Sequence, residues 1–255
     1  MREKIIDCFN EYIRGFDNSD PMIILKKEHT YRVANLSEKI ARSISDIYDL
    51  SEGDVDLAWI IGMFHDIGRF EQVKRYGTFR DADSIDHAQF GADILFDSNR
   101  DARLRLVLPE SEIIEIAIRN HNKYRLPMDL SKRESIFCNI IRDADKLDIL
   151  RILLDCTTEE IYGVSDEELL VSEITDEVLE NALEGHAVDR ALQKTPMDKL
   201  ILHVSMMQEL VFPKSKQILK ESGYLIKLLN KAVVDEKTAV KFDRLKRHMR
   251  DFMYC

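Results

Sequence analysis

Between residues 22 and 48, apolar side chains return every three or four positions, with Leu25, Val33, Leu36, Ile40 and Ile44 on one stripe. That period belongs to a helix, because a strand alternates every second residue. Similar spacing recurs along most of the 255 residues, and the usual helix breakers are scarce, with nine glycines and five prolines. Such scarcity disfavours β-sandwiches and long flexible linkers. The chain is expected to be all-α.

Local signals divide this pattern into helices. Residues 2–16 read as a first amphipathic segment, and Ser19-Asp20-Pro21 starts a helix spanning about 22–48. Ser51 with Asp54 resembles a capping box and opens a third helix through about Phe64. Residues 68–83 lack clean periodicity and read as a loop. Helices follow at about 84–97 and 110–121, and Ser131 with Glu134 opens another that runs to about 154. Pro196 and Pro213 punctuate later helices, and the last covers about Asp235 to Phe252. No repeat, low-complexity tract or Gly/Ser/Pro linker divides the chain. We therefore expect a single all-α domain over 1–255: a helical bundle at about 22–155 with a C-terminal helical extension at about 156–255. Residues 155–184 are acidic and carry no cluster that looks like a ligand set.

Ionisable groups interrupt the apolar stripes at particular places. His29 lies four residues after Leu25 and four before Val33, and His65 lies four after Ile61, with Asp66 next. His87 precedes Phe90, Gly91 and Ile94 at helical spacing, and His121 follows Ile114, Ala117 and Ile118 in the same way. Asp145 lies four residues after Ile141, and Asp148 three further on. Taken singly, each has an ordinary reading as a hydrogen-bonded or ion-paired core residue. Taken together, the four histidines with Asp66 and Asp145 are six core-facing polar groups that all need partners, since an unpaired buried carboxylate is costly. A shared cation is an economical partner. Four imidazoles and two carboxylates suffice for two divalent ions, with Asp66 able to bridge them. His186 and His203 lack such surroundings and are read as structural, and His248 sits in the basic run RLKRHMR, read as a solvated face.

The overall charge narrows the partners. A formal net charge of −10 disfavours polyanions and anionic membranes, so neither a nucleic-acid polymer nor a membrane is expected as a partner. The longest apolar run, Leu57–Phe64, falls far short of the ~20 residues that span a bilayer. The N-terminus mixes charged and apolar residues at helical spacing and does not read as a signal peptide. Cys8, Cys138, Cys156 and Cys255 form no C-x-x-C pair, which suits reduced thiols and a cytoplasmic location.

The order of these residues resembles the HD superfamily of metal-dependent phosphohydrolases. The signature H…HD…D reads here as His29 in KKEHTYRV, His65-Asp66 in GMFHDIGRF and Asp145 in RDADKLDIL. His87 in SIDHAQFGADIL and His121 in AIRNHNKYRLP resemble the two extra histidines of the binuclear subgroup. The resemblance implies an all-α HD bundle with the metal at its centre, ligated by His29, His65, Asp66, His87, His121 and Asp145. Binuclear members often follow HD-x-G with lysine, where this chain has Arg69. That departure puts proton donation at the position in doubt but keeps a fixed cation for a phosphate. The G-Y-P motif of cyclic-dinucleotide members is absent, and Asn122 follows His121.

These features imply hydrolysis of a phosphomonoester or phosphoanhydride in a small nucleotide-like substrate, by a water activated near Asp66. Arg69 and Lys146 are expected to steady the phosphate and Asp148 to hydrogen-bond a ligand histidine, while Arg80, Lys123 and Arg125 on flanking loops read first as surface charges and second as phosphate contacts. Two ions are expected, with iron or manganese preferred and nickel, cobalt, zinc or magnesium also admissible. Two alternatives stand beside this reading: a dinucleoside polyphosphate pyrophosphohydrolase, and a non-catalytic regulatory or ligand-binding module that keeps its metal. Apolar spacing at Leu200, Val204, Met207, Leu210 and Val211 suggests packing against the bundle or a partner chain, which leaves homodimerisation open.

Overall fold

The structure is a computed structural model that describes residues 1–97, 108–231 and 233–254. Cys255, one of the thiols expected to be reduced, lies outside the described residues; Cys138 and Cys156 are free thiols. No strand occurs among the described residues. No helix among them is long and apolar enough to cross a membrane. The chain divides into two compact units, Met1–Asp145 and Lys146–Cys255.

The N-terminal unit contains α1 (Arg2–Ile13), α2 (Pro21–Ser43), the single turn α3 (Ser45–Tyr48), α4 (Glu52–Phe64), α5 (Ile67–Tyr76), α6 (His87–Phe96), α7 (Ser111–Asn120) and the first part of α8 (Lys132–Asp155). Sequence chemistry sets the helix ends. Pro21 occupies the first turn of α2, and Asp20 accepts the Met22 amide at 2.8 Å. Ser51 and Asp54 form the expected reciprocal cap on α4, and Ser131 and Glu134 exchange bonds of 2.6 and 3.3 Å at the start of α8. Arg133 also pairs with Asp54, tying the start of α8 to the first turn of α4.

The core of this unit has an aromatic knot. Phe9 meets Tyr31, Phe64 and Phe70 edge-on, with ring centroids 5.7, 6.2 and 5.8 Å away. Two glycines let helices approach where a side chain would not fit. A Cβ on Gly62 would lie 2.5 Å from the Ala34 Cα, so α4 packs directly on the α2 backbone. A Cβ on Gly68 would lie 2.3 Å from the His87 carbonyl oxygen and 2.8 Å from the Gly91 amide nitrogen. That second crossing sets the distance between α5 and α6.

Three expectations change here. The stretch 68–83 is not all loop, because α5 covers Ile67–Tyr76. Its buried Ile67, Phe70 and Val73 do recur at helical spacing, but buried Gly68 and Gln72 sit among them and obscure the apolar stripe. Gly77, at φ +62°, ends that helix. The helix expected over 22–48 breaks at Ile44, with α3 ending at left-handed Asp49 (φ 54°). The first helix stops at Ile13, whose carbonyl accepts the Asn18 side-chain amide at 3.1 Å.

The C-terminal unit holds the rest of α8, then α9 (Thr158–Tyr162), α10 (Asp166–Val171), α11 (Asp176–Leu183), α12 (Pro196–Ser205), α13 (Pro213–Ser222), α14 (Tyr224–Leu229) and α15 (Glu236–Tyr254). The acidic stretch 155–184 is a run of short helices whose carboxylates work as caps, with Glu160 answering Thr157 and Glu168 answering Ser165. Leu200, Val204, Met207 and Leu210 are buried, as their spacing suggests, while Val211 is exposed. His248 does not face open solvent: it is half-buried and bonds Gln208 Oε1 at 2.6 Å.

Candidate metal centre

The six residues come from six helices spread over residues 21–155, with only His65 and Asp66 adjacent in sequence. His29 lies in the middle of α2, His65 caps the end of α4, Asp66 caps the start of α5, His87 opens α6, His121 caps the end of α7, and Asp145 lies on α8. His29, His65, Asp66, His87 and His121 are each no more than 5% exposed. Their heads form two groups. In the first, His29 Nε2 lies 3.3 Å from His65 Nε2 and 3.1 Å from Asp145 Oδ1. In the second, His87 Nε2 lies 3.0 Å from His121 Nε2. Asp66 stands between the groups. Its Oδ2 is 3.5 Å from His29 and 3.6 Å from His65, while its Oδ1 is 3.4 Å from His87 and 3.6 Å from His121.

The outer ring nitrogens determine which way the inner ones work. His65 Nδ1–H donates to the Gly62 carbonyl at 2.8 Å, and His121 Nδ1–H donates to the Ile118 carbonyl at 2.7 Å. His87 Nδ1–H donates to Asp81 Oδ2 at 2.7 Å. A carbonyl or carboxylate can only accept, so the proton sits on Nδ1 and each Nε2 presents a lone pair inward. Lone pairs from His87 and His121 then face each other without a hydrogen between them. A cation satisfies such an arrangement. Imidazole nitrogens with carboxylate oxygens and no thiolate suit a divalent metal, so the residues present fit the expected cofactor.

Electrostatics favours the ligating forms. Burial pushes the Asp66 carboxyl up, yet the Lys26 charge, the adjoining His65 and His121 rings and the Arg69 charge hold it well below the usual carboxylate range. Burial likewise opposes ionisation of Asp145, and the adjoining His29 and His65 rings reverse the effect. His87 is lowered to about 4, chiefly by burial and then by the Arg69 charge, so it stays neutral at neutral pH.

A surrounding layer fixes these groups. Asp81 accepts from His87 and, through Oδ1, from Arg69 Nη1 at 2.7 Å and Gln72 at 3.0 Å. Asp86 caps α6 and takes Asn122 at 2.9 Å and Lys123 at 2.8 Å, joining the start of that helix to the residues after His121. Arg142, nearly buried on α8, donates to the carbonyls of Asn120, His121, Lys123 and Tyr124, which holds the end of α7 in place.

The other expected site residues divide in two. Arg69 sits at the centre: its Nη1 is bound by Gln72, the Phe79 carbonyl and Asp81, while its buried Nε has no hydrogen-bond partner and lies 3.6 Å from Asp66 Oδ1. Lys123 pairs with Asp86 as described. Exposed Arg80 pairs with Asp83 at 3.1 Å, and Arg125 lies over the Tyr124 ring. Lys146 gives its ammonium to Glu209 at 3.1 Å and Asp148 accepts from Arg151 at 3.0 Å, both within the C-terminal unit. The carboxylate seen orienting a ligand histidine is Asp81. Sequence reading passed over Asp81, Gln72 and Arg142, and also Lys26, whose ammonium is 2.6 Å from Asp66 Oδ2. A signal for Lys26 did exist, because it lies three residues before His29 on the same face of α2.

No curated protein and no solved structure matches this chain. The family model for the HD domain matches residues 27–150, an interval that holds all six of the clustered histidines and aspartates. Over this stretch, just short of half of the chain, the protein is similar to the HD domain.

Proposed function

We propose that the chain hydrolyses a phosphomonoester or phosphoanhydride bond in a small nucleotide-like substrate, with two divalent cations held by His29, His65 and Asp145 on one side and His87 and His121 on the other. One observation carries this reading: Asp66 offers a separate oxygen to each imidazole pair. A single structural ion would not call for that division. Cations bound there would neutralise charge on the phosphoryl oxygens and bring the pKa of a water toward ~7.

The chain's own groups prepare the site in three ways. Burial of the ligand heads strengthens each electrostatic contact. The Nδ1 bonds of His65, His87 and His121 hold the rings in the tautomer that ligates. Arg69 is gripped through Nη1, which leaves its Nε–H as a fixed donor beside Asp66.

The test is a panel of nucleoside mono-, di- and triphosphates and dinucleoside polyphosphates, supplied with Mn²⁺ or Fe²⁺ and read by released phosphate and by nucleotide products. Turnover that disappears in Asp66→Ala supports the reading, and the products separate monoester hydrolysis from splitting of an internal anhydride. If loaded wild type turns over no member of the panel, the reading fails and a metal-containing regulatory module takes its place.

A further inference from the structure

Lys26 lies one turn before His29 on α2, so the two side chains share the face that meets Asp66. Its Nζ stands 2.6 Å from Asp66 Oδ2 and 5.1 Å from the centroid of the Phe79 ring, and its side chain is 12% exposed. The Arg69 guanidinium carbon lies 5.9 Å from the same ring. One cation therefore approaches each Asp66 oxygen, and both flank one aromatic face.

Their donors are not used up. An ammonium carries three N–H donors, and Lys26 makes one hydrogen bond among the described residues, to Asp66. The Arg69 Nε–H has no hydrogen-bond partner. A largely buried lysine with spare donors, beside a buried guanidinium with another, suits an incoming polyoxygen anion better than it suits a simple ion pair.

We propose that Lys26 and Arg69 form a phosphate-receiving subsite beside the centre, with Phe79 as its wall. Lys26 is then a substrate-binding residue that grips non-bridging oxygens of the group being hydrolysed. The proposal rests on the phosphohydrolase reading for its substrate, but it is testable by binding alone.

The experiment titrates inorganic phosphate into Mn²⁺-loaded full-length protein by calorimetry, for wild type, Lys26→Met, Lys26→Gln and Lys26→Arg, with metal content measured on each. Lys26→Met is expected to weaken phosphate binding at least ~10-fold, the loss typical of one charge-assisted hydrogen bond, at unchanged metal content. Lys26→Arg should recover most of the affinity. With a turned-over substrate, the methionine variant should raise KM more than it lowers kcat. Phosphate binding by Lys26→Met within about twofold of wild type overturns the proposal. So does a wild type that binds no phosphate when loaded. Loss of metal from both the methionine and glutamine variants also overturns it, because Lys26 would then act only through Asp66. Lysine-dependent phosphate binding without turnover of any substrate supports the subsite and sinks the enzyme reading instead.

Discussion

Asp81 shows how much one residue outside the ligand set can decide. It takes the His87 Nδ1–H and anchors both Arg69 and Gln72, and the bond from His87 with the charge of Arg69 overrides the burial that opposes its ionisation. Asp81→Asn keeps the shape but weakens the acceptor that fixes the ring. Metal titration should show affinity at the His87/His121 side falling about 10- to 100-fold, with the His29/His65/Asp145 side unchanged. Equal loss on both sides would contradict this placement. His203 offers a separate check, far from any ligand in the sequence. Burial first, then the Lys199 and Arg190 charges, lower it to about 3, and its Nδ1 has no hydrogen-bond partner. The unfolded chain binds that proton near pH ~6.5 and the folded chain does not, so stability is intact above ~6.5 and declines as pH falls toward 3. Denaturant melts between pH 7 and 4 should show a shallower acid-side decline in His203→Gln than in wild type. At this scale the clustering of the six residues was legible because five of them break an apolar period and Asp66 adjoins one of those five. Asp81 and Arg142 were not, because their importance lies in partners distant in sequence, and no local pattern records a bond from α8 to the carbonyls after α7.

Whole helices depend on equally small features. Gly68 lets α5 touch the backbone at His87 and Gly91, and those two helices carry Asp66, Arg69 and His87. Gly68→Ala should force them apart, at a cost of about 1–3 kcal/mol, and lower metal uptake beyond what the stability loss alone explains. Denaturant melts and metal analysis on one preparation decide this; a variant as stable and as fully loaded as wild type would contradict the close crossing. The cap on α4 makes a milder case. Ser51→Ala removes the hydroxyl that accepts the Asp54 amide and should cost ~1 kcal/mol with metal content intact. Caps of this kind made many helix starts readable, since serine or threonine followed three residues later by a carboxylate is a local code. What misled was α5, whose buried face includes a glutamine and a glycine because it packs against a polar site and a second backbone. Interruptions such as Ile44 and Asp49 leave the apolar spacing undisturbed, so the spacing could not report them.

Across the molecule, all six clustered heads belong to residues 1–145, although the net charge of −10 is a property of the full chain. Removing metal should destabilise the chain by linkage. At a free-metal concentration about 100 times the dissociation constant, bound ion contributes ~2.7 kcal/mol, and at ~2–4 °C per kcal/mol for a chain of this size the melt should move by about 5–10 °C. Calorimetry before and after chelation, with Mn²⁺ added back, checks both loss and recovery. An unchanged melt would mean that the heads hold no ion of consequence.

If the centre takes two ions as proposed, the split of Asp66 between two imidazole pairs would also impose an order of filling. One half of the centre owns His29, His65 and Asp145 outright, the other only His87 and His121, and the single carboxylate is common to both. A stripped chain should therefore regain its ions in sequence, the better-furnished half first, and a preparation starved of metal would hold one ion per chain instead of a mixture of empty and full molecules.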